Sequence, residues 1–82
     1  MFNEERDMNR INVEVGGTYV PFFLGCDDVA EDFIEFCTAR GFDYYTEIVT
    51  NDEAKAIQEK LSWADLKIKD DVLTMFAGER NV

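Results

Sequence analysis

Histidine is absent from this 82-residue chain, and cysteine, proline and positive charge are scarce. Without histidine the commonest general base is missing, and a mixed transition-metal site loses its usual nitrogen ligand. With one proline, five glycines and 46 % hydrophobic residues, the composition is that of a folded domain rather than a disordered segment. The longest apolar run, Tyr19 to Cys26, is broken by Pro21 and falls far short of the roughly 20 residues that a membrane span needs. Glu4, Glu5 and Asp7 stand where a signal peptide would be basic, and no apolar segment follows them. These absences lead us to expect a soluble, intracellular protein.

What the chain has in excess is carboxylate. Eighteen acidic against eight basic residues give a net charge of −10. Direct binding to a nucleic-acid backbone or an anionic membrane needs clustered Lys and Arg, so both are disfavoured. A basic protein surface is favoured as a partner, because the field steers it in. Solubility alone would account for the same charge.

Along the chain, residues 1–9 are polar and unpatterned and read as a frayed tail. Residues 10–24 read as a β-hairpin turning at Gly16-Gly17, with Ile11, Val13 and Val15 alternating against Thr18, Val20 and Phe22 on one face. Asn12, Glu14, Tyr19, Pro21 and Phe23 fall on the other. Proline offers no N–H, so the second strand should be a sheet edge and the first should lie inside. Residues 28–40 form a helix, with Asp28 as cap, Glu31 completing a capping-box pattern, and Gly41 ending it in a left-handed turn against which Phe42 folds back. Residues 42–49 form a third strand, laid parallel to the second and beside the first by a right-handed crossover. Thr50 and Glu53 cap a second helix running to about Leu61. Residues 65–77 read as a closing hairpin turning at Asp70-Asp71. A single helix from Ser62 to Ala77 is the rival, but it places Lys69 or Asp70 in its apolar seam. The expected fold is α+β, in the order β-β-α-β-α-β-β. Its sheet is mixed and mostly antiparallel, with two helices packed on one face. Residues 10–77 form the one domain, and 78–82 a polar tail.

The segment Cys26 to Cys37 carries the strongest signal. At roughly 100° per residue, Val29, Ala30, Phe33, Ile34, Phe36 and Cys37 cover one arc while Asp28, Glu31, Asp32 and Glu35 gather opposite. The i, i+4 pairs Asp28–Asp32 and Glu31–Glu35 repel by a few tenths of a kcal/mol each. A solvated face usually intersperses lysines. No glycine-turned loop of the kind Ca²⁺ prefers accompanies these acids, so no metal and no cofactor are expected. The two cysteines are about 13–16 Å apart if the segment is helical, beyond the reach of a disulfide. Cys37 lies on the apolar arc.

No nucleotide-binding loop and no base beside either cysteine is visible, and no catalytic residue is assigned. Tyr44 and Tyr45 are adjacent on a strand, so one should face the core and the other solvent. Tyr19 and Tyr45 are the candidate aromatic anchors of an interface, beside the steering carboxylates Asp28, Glu31, Asp32 and Glu35. In size, charge and lack of catalytic groups, the chain resembles the small acidic inhibitors that phages make, anti-CRISPR proteins and DNA mimics included, though no motif aligns with them. That resemblance implies a non-enzymatic inhibitor of a basic surface, acting in the host cytoplasm if phage-encoded, as a monomer or weak homodimer. The alternative is a small ligand-sensing or regulatory domain acting as a homodimer.

Overall fold

A computed structural model describes residues 7–80. Its elements are β1 (Asp7–Val15), β2 (Thr18–Leu24), α1 (Asp27–Arg40), β3 (Tyr44–Thr50), α2 (Asn51–Glu59) and α3 (Trp63–Arg80). The architecture is α+β: one open antiparallel sheet of three strands and three helices. The sheet order is β2-β1-β3, so β1 is internal and β3 runs parallel to β2 on its far side. Gly16 and Gly17 both have positive φ (64° and 88°), and this turn fixes the hairpin register Val15↔Thr18, Val13↔Val20, Ile11↔Phe22.

Strand alternation assigns the faces. Ile11, Val13, Val20 and Phe22 are buried with Ala30, Phe33, Phe36 and Cys37 of α1 and with Val72 and Phe76 of α3. Phe33 is the hub, its ring 5.0 Å from Phe22 and 5.1 Å from Phe76. So α1 and α3 cover one face of the sheet. On the opposite face, Met8 and Phe23 share a cleft with Ala54 and Gln58 of α2, and Arg10, Glu47 and Val49 share another with Ile57.

Helix ends follow local chemistry. Gly41 (φ 78°) closes α1, with the Gly41 N–H donating to Thr38 and the Phe42 N–H to Cys37, and the Phe42 ring lies 6.3 Å from Phe36. Thr50 and Glu53 exchange both bonds of a capping box at α2, at 3.1 and 3.0 Å.

Several expectations are corrected. Residues 65–77 are not a hairpin but the middle of α3, so the sheet has three strands, paired antiparallel throughout rather than mixed, and the pair of helices sharing a face is α1 and α3. Ser62 caps α3, its hydroxyl accepting from the Asp65 N–H at 3.1 Å. The polar residue that counted against this helix, Lys69, does lie in its seam and is buried there. Asp28 does not cap α1. The helix begins one residue earlier, Cys26 holds the cap position without a side-chain bond, and Asp28 lies in the first turn. β1 begins at Asp7, inside the segment read as a tail, and α3 extends to Arg80.

Candidate functional site

α1 carries its carboxylates away from the sheet because its apolar arc is spent on the core. Asp28, Glu31, Asp32 and Glu35 are all exposed and share one face, as the helical period requires. Asp32 pairs with Arg80 at the end of α3, 3.2 Å away. Arg40 is engaged by Glu79 and lies over the Phe36 ring. Arg10 faces Glu47 and Lys67 faces Asp71. Asp28, Glu31 and Glu35 therefore have no ion-pair partner among the described residues. Between the two helices, Asp32, Glu35, Phe36, Phe76, Glu79 and Arg80 line an open groove of about 440 Å³.

Tyr19 and Tyr45 meet edge to face, centroids 5.1 Å apart, each about half exposed. They stand on the sheet face opposite α1, flanking Asn12 of the central strand. Asn12 is buried and fully bonded. It accepts from Arg10 Nε at 2.8 Å and donates to Glu47 Oε1 at 3.3 Å and to the Tyr45 carbonyl at 3.5 Å. The six residues singled out in the sequence thus form two groups: the carboxylates on one side of the molecule and the tyrosine pair on the other. Tyr44 shares the face of Val13, yet it too is exposed, because α1 and α3 cover β1 and β2 and leave β3 bare.

Sequence reasoning missed a third cluster. Lys69 Nζ donates to Gln58 Oε1 at 2.6 Å and lies 5.5 and 5.1 Å from the ring centres of Phe22 and Phe23. Burial lowers its pKa from 10.5 to about 8. One lysine among apolar positions at helical spacing was the available signal. Both cysteines are free: Cys26 exposed and Cys37 buried, its thiol raised by burial from 9.0 to about 11. Among the described residues no cluster of three or more His, Cys, Asp or Glu side chains is placed to hold a metal ion, and no helix is long and apolar enough to cross a membrane.

No known family model matches the chain, and no curated protein or solved structure is similar to it.

Proposed function

We propose that the protein is a binding module that lays the carboxylate face of α1 on a basic surface of a partner protein. The observation that carries this is the uneven use of charge. Arg10, Arg40, Lys67 and Arg80 pair with carboxylates, only Arg80 with one on this face, and among the described residues Asp28, Glu31 and Glu35 are left without an ion-pair partner. A cluster of exposed acids that tolerates like-charge i, i+4 pairs gains when a cation arrives. Asp28, Glu31, Asp32 and Glu35 set four negative charges within about 10 Å of one helix face. A protein surface built to track a phosphate backbone would accept this helix, and occupying it would inhibit nucleic-acid binding without any catalytic step. The tyrosine pair, on the opposite face, is a separate surface under this proposal.

Capture from a host-cell lysate on the immobilised chain, with and without the changes Glu31→Gln, Asp32→Asn and Glu35→Gln, tests it. The wild type should retain a basic protein that elutes as salt is raised, and the triple variant should lose it. Equal capture and equal salt dependence by both proteins would refute the proposal.

A further inference from the structure

We propose that β3 is a self-association edge: two copies of the chain join their sheets by antiparallel pairing of β3 with β3, centred on Thr46.

The two edges of the sheet are treated differently. On β2 the outward-pointing backbone positions are Tyr19, Pro21 and Phe23, since Thr18, Val20 and Phe22 pair with β1. Pro21 sits at the centre of that edge and removes its N–H, and α3 packs along the strand. β3 has neither proline nor lysine. Its ladder to β1 is fixed by the Glu14 N–H donating to the Asp43 carbonyl at 2.8 Å, which makes 43, 45, 47 and 49 the inward positions. The amides and carbonyls of Tyr44, Thr46 and Ile48 therefore point outward. Their side chains are exposed too, Ile48 at 63 %. An unblunted strand of aromatic and β-branched residues is a template for another strand.

Charge selects the occupant and the register. Glu47 is the one charged side chain between Tyr44 and Thr50, and Arg10 and Asn12 already hold it. Pairing centred on Thr46 sets Tyr44 against Ile48 of the second copy, Thr46 against Thr46, and Tyr45 against Glu47. Aromatic with β-branched and Thr with Thr are favourable cross-strand neighbours. Centring on Glu47 opposes two carboxylates, and centring on Tyr45 sets Asp43 against Glu47. Centring on Ile48 runs each strand into the first turn of the other copy's α2, and centring on Tyr44 runs it into the Gly41 turn that ends the other copy's α1. One register survives, and it is self-complementary. Five residues per strand cover less than the roughly 800 Å² per partner of a standard interface, so the dimer is reversible. Each copy carries a charge of −10, so screening by salt strengthens the pairing. Docking onto a basic surface has the opposite salt dependence, and the two proposals stand or fall separately.

Sedimentation of the full chain over a concentration series, at low and high salt, reads the dimer directly, and amide exchange locates it. The expected result is a monomer–dimer equilibrium favoured by salt, with the Tyr44, Thr46 and Ile48 amides protected only at dimer concentrations. Thr46→Pro repeats on β3 what Pro21 does on β2, and Ile48→Lys places a charge on an exposed position. Each should weaken dimerisation by at least about tenfold, the effect of losing roughly 1.4 kcal/mol, with the melting temperature kept by Ile48→Lys. A chain that stays monomeric at high salt and millimolar concentration overturns the proposal. So does a dimer that ignores both variants, or one in which the three amides still exchange freely. Protection of those amides only by a separate protein would give the edge a foreign strand and overturn it as well.

Discussion

Lys69 is a buried cation made tolerable by three neighbours: the Gln58 carbonyl oxygen and the faces of Phe22 and Phe23. Its pKa of about 8 means that the folded chain holds this proton less tightly than the unfolded chain does. Stability therefore rises with pH from about 8 towards 10.5, where the unfolded lysine is still charged and the folded one is not. Cys37 works the other way. The folded thiol at about 11 keeps a proton that the unfolded thiol loses above 9.0, so its contribution is whole below pH 9 and fades as pH rises through 11. Lys69 thus acts alone between about pH 8 and pH 9. Lys69→Met keeps an apolar stem against the two rings and removes the charge. Over that window, urea unfolding should show wild-type stability rising by about 1 kcal/mol relative to the variant. Parallel stability curves would mean that the ammonium is not desolvated. Reductant should leave the melting temperature of the wild type unchanged, since Cys26 and Cys37 are both free thiols. A drop of many degrees would place a disulfide where the helix leaves no room for one.

Among the elements, α3 shows where sequence logic meets its limit. Its N-terminus is written in Ser62-Trp63-Ala64-Asp65, and Ser62→Ala should cost about 1 kcal/mol and lower the helical signal in circular dichroism. A hairpin over the same residues would be indifferent to that change. In sequence the helix competes poorly because it places Lys69 or Asp70 in its apolar seam, and what admits Lys69 there is Gln58 of α2 and two rings of β2, residues 11 and more than 40 positions away. That is tertiary information. Elements specified by neighbouring residues were legible: the Gly16-Gly17 hairpin and its register, the Gly41 ending, the Thr50–Glu53 box, and the internal place of β1. The candidate site was legible in pieces. Helical period gathered Asp28, Glu31, Asp32 and Glu35, and strand alternation put Tyr19 off the core face. The exposure of Tyr44 was not legible, because it depends on how far α1 and α3 reach across the sheet. Amide exchange in dilute solution should follow the ladder geometry, fast at Tyr19, Phe23, Tyr44, Thr46 and Ile48 and slow at Val13, Val20 and Phe22. Uniform protection across β2 would mean that its outer edge is paired.

For the whole molecule the governing quantity is the net charge of −10 and its placement. Self-repulsion of that size destabilises the compact state, and salt relieves it as the Debye length falls from about 30 Å at 0.01 M to about 8 Å at 0.15 M. The melting temperature of the wild type should therefore rise over that range. Glu31→Gln, Asp32→Asn and Glu35→Gln together remove three carboxylates from one helical face, taking the net charge to −7. Asp28→Asn can join them, since Asp28 makes no cap and only the helix-dipole attraction is lost, about 0.3–1 kcal/mol. The triple variant gives up the exposed Asp32–Arg80 pair, worth about 0–1 kcal/mol, and relieves the Glu31–Glu35 and Asp28–Asp32 repulsions. These effects nearly cancel locally, so the global term decides the sign. The variant should melt at or above the wild-type temperature in low salt, with a flatter salt dependence, by scanning calorimetry at fixed protein concentration. That outcome would show the carboxylate face to be costly to the free protein, as a surface kept for a cationic partner would be. A variant that melts well below the wild type in low salt would instead make the face part of what holds α1 and α3 together.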